Sequence, residues 1–192
     1  MTEICLVRHG QTDWNFSGLI QGREDIPLNR SGMIQARESA KFLSNEKWDI
    51  IVTSPLSRAY DTAKIIALEL NLDIDKIQID ERLIERNFGE ASGKDYKLYK
   101  SKYSEGKVVG MESDDELINR CFSAIQDIMG KYMGKRIIIV AHSHAIKAIL
   151  HKISPNEVNF TTKLNNACTS YISCKENKWE LLKYNISDHI TI

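Results

Sequence analysis

Short runs of unbroken apolar residues recur along this chain, each too brief for a helix and each followed by a stretch of helical period. Ile4, Cys5, Leu6 and Val7 form the first, Ile50, Ile51 and Val52 the second, and residues 136–141 contain the third. A strand without polar alternation is buried on both faces, as in a parallel sheet covered by helices. After the first run comes a polar loop with Gly10, Gly18, Gly22 and Pro27; Ser31 then offers an N-cap to a helix carrying Ile34, Phe42 and Leu43. Residues 57–70 place Ala59, Ala63, Ile66, Ala67 and Leu70 on one stripe. Residues 77–79 predict a further short strand. Ser113-x-x-Glu116 is a capping box that opens a helix reaching to about Met133, and a last helix follows from Ser143 to about Ile153. Residues 168–174 and 179–184 read as strands joined by a turn at 175–177. This alternation predicts an α/β three-layer sandwich with a mostly parallel central sheet and helices on both faces.

Residues 90–112 break the pattern. They are polar and punctuated by Gly93, Gly106 and Gly110, with Gly89 just ahead. The expectation is a single domain over residues 1–192, with a cap or lid insertion around 90–112. The chain's 192 residues suit one such domain. Lys plus Arg and Asp plus Glu number 26 each, a balance that argues against a dedicated nucleic-acid or membrane-surface binder. An anion site must therefore come from a few basic groups focused in one place. No signal segment is visible at the start and no apolar stretch is long enough to span a bilayer. Cys5, Cys121, Cys168 and Cys174 form no Cys-x-x-Cys pair, and the expected location is the cytoplasm.

Three of the predicted strands end in chemistry. The first runs into Arg8, His9 and Gly10, the second into Ser54 and then Arg58, and the third into His142, Ser143 and His144. In an open α/β sheet, ligands sit beyond the carboxyl ends of the strands. Two guanidinium groups and neutral imidazoles gathered there make a phosphate site, to which a helix N-terminus, with the Ser143 amide foremost, adds donors.

Five blocks carry a resemblance. They are Leu6-Val7-Arg8-His9-Gly10-Gln11-Thr12 with Asn15; Gln21-Gly22-Arg23-x-Asp25-x-Pro27-Leu28-Asn29; Ser54-Pro55-Leu56-x-Arg58-Ala59-x-x-Thr62-Ala63; Leu83-Ile84-Glu85-Arg86-Asn87-Phe88-Gly89; and Val140-Ala141-His142. In this order they resemble the histidine phosphatase superfamily, the group that includes phosphoglycerate mutases. The resemblance implies that His9 forms a phosphohistidine, with Arg8, Arg58 and His142 on the phosphoryl oxygens, helped by Asn15. It implies that Glu85 protonates the leaving oxygen and then activates water. Gln21 and Gly22 match pocket-lining positions, and Arg86 is a candidate substrate contact. Neither a metal nor another cofactor is needed in this scheme.

The implied activity is hydrolysis of a small-molecule phosphate ester. A mutase is the alternative, favoured by Glu85-Arg86; against it, the stretch between Glu85 and His142 is shorter than in mutases and lacks their adjacent arginine pair. A metal hydrolase built on His142-x-His144 has no carboxylate ligands at suitable spacing. His144 departs from the small residue usual in the family, either as a bystander at the helix start or as an extra pocket donor. Whether the protein is a monomer or a homodimer stays open.

Overall fold

The structure is a computed structural model and describes residues 2–192. Six strands form one sheet: β1 (Thr2–Arg8), β2 (Ile50–Thr53), β3 (Gln78–Ile79), β4 (Arg136–Ala141), β5 (Thr169–Lys175) and β6 (Lys178–Ile186). Their order is β3-β2-β4-β1-β5-β6. The first four run parallel to one another, whereas β5 lies antiparallel to β1 and β6 antiparallel to β5. Glu176 and Asn177, which join β5 to β6, both have positive φ, as a two-residue hairpin turn requires.

Side-chain alternation splits the core into two layers. Ile4 and Leu6 of β1, with Ile137 and Ile139 of β4, face α5 (Asp114–Lys131) and α6 (Ser143–Ile153). Cys5 and Val7, with Ile138 and Val140, face α2 (Arg30–Leu43) and α3 (Ser57–Glu69). The fold is thus the three-layer α/β arrangement that the apolar runs predict.

The starts of the helices follow local chemistry, with one correction. The Ser113–Glu116 capping box forms as expected. The N-cap of α2, however, is Asn29, whose side chain accepts the Gly32 amide, and Ser31 lies inside the first turn. Asn29 is fixed there by Gln11, whose carbonyl accepts its amide at 3.0 Å and whose Oε1 accepts its Nδ2 at 3.1 Å. A Cβ on Gly10 would sit 2.2 Å from the Gly32 carbonyl oxygen, so only glycine allows that approach.

Two helices escape the periodicity argument. The short α1 (Asp13–Phe16) is held by a Thr12 capping box with Asn15. The longer α4 (Tyr96–Ser104) lies within an excursion that leaves and rejoins the body at one pinch. There the Glu90 amide donates to the Val109 carbonyl at 3.0 Å and the Glu112 amide to the Asn87 carbonyl at 2.8 Å. Gly89, at φ 53°, passes so close to Val109 that a Cβ would meet its oxygen at 2.1 Å. Phe88, Ala91 and Val108 pack with Ile20 into a small separate core beneath α4. No helix among the described residues is long and apolar enough to cross a membrane.

Candidate active site

The carboxyl ends of β1, β2 and β4 open into a cavity of about 660 Å³. Its lining includes Arg8, His9, Asn15, Gln21, Gly22 and Arg58, together with Glu85 and Ser143. His142 stands behind His9, their ring centres 5.1 Å apart. Segments far apart in sequence therefore meet because parallel strands deliver their carboxyl ends to one edge.

His9 follows directly on β1 and its backbone is tied on both sides. Its amide donates to the Ala141 carbonyl at 3.0 Å, and its carbonyl accepts the Ala167 amide at 3.2 Å. The ring Nδ1 lies 2.6 Å from the Gly10 carbonyl oxygen. A carbonyl only accepts, so Nδ1 carries the proton and Nε2 keeps its lone pair. Burial pushes the His9 pKa well below its ordinary value, and the charges of Arg58 and Arg8 push it the same way. At neutral pH the ring is an uncharged base with a fixed tautomer.

The cations around it are anchored from behind. Arg58 is 1% exposed and donates from Nη1 to the Glu24 carbonyl at 2.7 Å and from Nη2 to the Gly22 carbonyl at 2.8 Å. These bonds also fix the loop that presents Gln21 and Gly22. Arg8 donates from Nη1 to the Leu164 carbonyl at 2.6 Å. Burial lowers the pKa of Arg58 to about 10, which leaves it charged at neutral pH, and also lowers that of Arg8. His142 contacts the Ser54 hydroxyl through Nε2 at 2.7 Å. Burial, then the charge of Arg58, drives its pKa well below the usual imidazole value. Donation from the Ser54 hydroxyl to Nε2 would leave the remaining ring proton on Nδ1.

Among the described residues, three buried nitrogens in this group have no protein partner: Nε of Arg8, Nε of Arg58 and Nδ1 of His142. An unsatisfied buried donor costs about 1–3 kcal/mol, and buried polar groups are nearly always paired. Arg8 and Arg58 line the cavity with His9, and His142 lies behind the His9 ring.

Glu85 arrives from the start of the excursion and caps α6. Its Oε1 accepts the amides of Arg86 at 2.9 Å, His144 at 3.1 Å and Ala145 at 3.1 Å, and Oε2 shares the His144 amide at 3.2 Å. The helix N-terminus that the sequence suggests for phosphate is thus engaged, through the His144 and Ala145 amides, by the Glu85 carboxyl group. Ser143 lines the cavity at the same helix start. Arg86 has several protein partners: it pairs with Asp114, donates to the Tyr103 hydroxyl at 3.1 Å and lies 4.4 Å over the Phe160 ring, with its buried Nε unpaired among the described residues. Its side chain braces the excursion against α5, as its 1% exposure reflects. His144 joins that brace, contacting the Tyr103 hydroxyl at 3.1 Å and stacking on Phe160.

Asn166 is a residue that sequence reasoning missed. Its Nδ2 donates to the Asn15 side-chain oxygen at 3.1 Å and to the His9 carbonyl at 3.3 Å. The Thr12 amide, at 3.3 Å, bonds the same Asn15 oxygen. Both acceptor positions on Oδ1 are therefore used, and the Asn15 NH2 group is left for the cavity. Nothing in the local pattern around Asn166 marks it, because its effect depends on a contact across most of the chain. Among the described residues, no cluster of three His, Cys, Asp or Glu side chains could hold a metal ion.

The model of the histidine phosphatase superfamily (branch 1) matches residues 4–187. The chain belongs to the histidine phosphatase superfamily. Among its relatives in that family is a Bacillus subtilis (strain 168) protein described as uncharacterized phosphatase PhoE, 42% identical over 192 residues, covering 100% of this chain and 98% of the relative. Phosphoserine phosphatase 1 of Hydrogenobacter thermophilus is 30% identical over 203 residues, covering 99% and 95% of the two chains. The crystal structure of an Entamoeba histolytica phosphoserine phosphatase with 3-phosphoglyceric acid superposes with a TM-score of 0.85 at 28% identity, over 100% of both chains. The protein is a phosphatase of the histidine phosphatase family, and the blocks that carry the resemblance lie within the matched region.

Proposed function

We propose that this phosphatase hydrolyses small phosphate monoesters without a metal, through a phosphohistidine on His9. The lone pair of Nε2 attacks phosphorus and the bond to the ester oxygen breaks. Glu85, protonated, gives its proton to that oxygen, so the leaving group departs as a neutral alcohol. Water then attacks the phosphohistidine, Glu85 takes the water proton, and orthophosphate is released with His9 restored. Nε of Arg8, Nε of Arg58, Nδ1 of His142 and the NH2 of Asn15 hold the phosphoryl oxygens through both halves, while Ser143, Gln21 and Gly22 line the pocket around them. Arg86 acts as a brace in this scheme. The observation that carries the reading is the set of buried, unpartnered donors beside a neutral His9.

Metal independence rests on the donor set. Fixed cations already supply the positive charge that phosphoryl transfer needs, and the oxygens of Glu85 accept three amides. Hydrolysis is favoured over transfer back to a bound intermediate because a cavity of about 660 Å³ leaves room for water, which takes about 30 Å³, beside a small ester. The excursion over residues 90–112 serves as a cap on a single domain formed by the whole chain, with Tyr96, Lys100 and Tyr103 lining the cavity. Four free, buried cysteines support a reducing compartment, the cytoplasm.

The test is turnover of an aryl phosphate in the presence of a chelator, with acid quench during the steady state. Unchanged activity and a protein-bound phosphate that is lost in acid, absent from His9→Ala, support the proposal. Loss of activity on chelation, restored by a divalent cation, refutes it.

A further inference from the structure

Lys147 is a cavity residue that the chemistry at His9 leaves unused. It lies on α6, one turn beyond Ser143, and is 7% exposed. Helical side chains lean toward the N-terminus, which carries its stem back to the cavity it lines. An ammonium has three donors. One bond is formed, from Nζ to the Phe160 carbonyl at 3.1 Å, and no ion pair joins Lys147 to a carboxylate among the described residues. Burying an ammonium without a counter-charge is costly. Burial pulls its pKa down to about 8, against the opposing pull of Glu85, so it is mostly charged at neutral pH.

The lining is lopsided in charge. Arg8, Arg58, Lys100, Lys147 and Lys163 face one acidic side chain, Glu85. Arg8 and Arg58 are committed to the phosphoryl group under the proposal above. A lysine with spare donors, held in the same cavity by a bond to the Phe160 carbonyl, suits a further acceptor on the substrate.

We propose that Lys147 contacts a second anionic group, a carboxylate or a second phosphate, carried on the leaving part of the ester. The inference rests on the phosphatase reading of His9 and names the substrate class it serves. Lys147 is a specificity residue here, not a participant in phosphoryl transfer. A purely structural lysine, pinning the Phe160 loop, would affect all esters alike.

The experiment compares 3-phosphoglycerate with glycerol 3-phosphate, which differ by a carboxylate in place of a CH2OH group. A second pair compares propane-1,3-diol bisphosphate with propyl phosphate. Wild-type and Lys147→Met proteins are assayed for kcat/KM on all four, with Lys147→Arg as the charge-retaining variant. One charge-assisted hydrogen bond corresponds to about a 10- to 100-fold drop in the anionic-to-neutral ratio in Lys147→Met. A drop in the first pair identifies a carboxylate, and a drop in the second alone identifies a phosphate. Lys147→Arg should keep most of the preference. A ratio within about two-fold of wild type in both pairs, with rates equal or uniformly reduced, overturns the proposal. If wild type turns over none of the four esters and no aryl phosphate either, the phosphatase reading fails instead. Calorimetric titration of the same ligands into His9→Ala, with and without Lys147→Met, then decides the lysine on binding alone: an unchanged affinity ratio overturns it, a lowered one supports it.

Discussion

Replacing Asn166 with aspartate tests whether the donor set is held in place from outside the cavity. In the native structure Asn166 Nδ2 donates to the Asn15 oxygen at 3.1 Å and to the His9 carbonyl at 3.3 Å. Aspartate keeps the shape and supplies only acceptors, so the oxygen in the place of Nδ2 would face two oxygens. The Asn15 amide relieves this by turning its NH2 toward the new carboxylate, which removes that group from the cavity and breaks the bond from the Thr12 amide. Loss of one preorganised oxyanion donor costs about 10²- to 10³-fold in kcat, and a new negative charge near the phosphoryl group adds to it. Asn166→Ala removes the bond without the repulsion and should cost about 3- to 10-fold, as one neutral hydrogen bond does. The assay is kcat on an aryl phosphate in a double-mutant cycle with Asn15→Ala. If Asn166→Asp costs as much in the Asn15→Ala background as in wild type, Asn166 does not act through Asn15 and the reasoning is refuted.

Three other perturbations have defined outcomes. Glu85→Gln should lower kcat by about 10²- to 10⁴-fold and more for alkyl than for nitrophenyl esters, because a poor leaving oxygen needs the proton most; equal losses across leaving groups, measured by steady-state kinetics, would count against its role as acid. His9, His142 and His144 all have pKa values held well below the ordinary value, chiefly by burial, so the unfolded chain binds more protons than the folded one below about pH 6.5. Their contribution to stability is full above that pH and is lost as pH falls toward the folded pKa values; calorimetry should show Tm dropping between pH 6.5 and the low pKa range, less steeply in His144→Phe. Gly10→Ala should lower the urea midpoint by an amount equivalent to about 1–3 kcal/mol, since its Cβ would lie 2.2 Å from the Gly32 oxygen.

The sheet and the convergence of Arg8, His9, Arg58 and His142 were legible because both follow from short-range pattern. Ile137, Ile138 and Ile139 must be buried whichever face they take, and a strand's end fixes the position of the next residue. Glu85 was legible only through the family blocks: its neighbours do not show that it will cap α6, since the amides of His144 and Ala145 lie far along the chain. The same holds for Asn166 and Lys147, whose roles depend on tertiary contacts without a local signature. Arg86 was readable as a basic residue next to the acid, but its partners Asp114, Tyr103 and Phe160 come from three other segments. The helix α4 was hidden because Tyr99 and Tyr103 give it a weak apolar face among lysines, packed on a satellite core instead of the main sheet.

A crystal structure with orthovanadate bound, an oxyanion that can take the place of the phosphoryl group, would test the site most directly. The account predicts vanadium facing Nε2 of His9, with its oxygens within hydrogen-bond distance of Nε of Arg8, Nε of Arg58 and Nδ1 of His142. Vanadate bound elsewhere in the cavity, with those three nitrogens still unpaired, would contradict it.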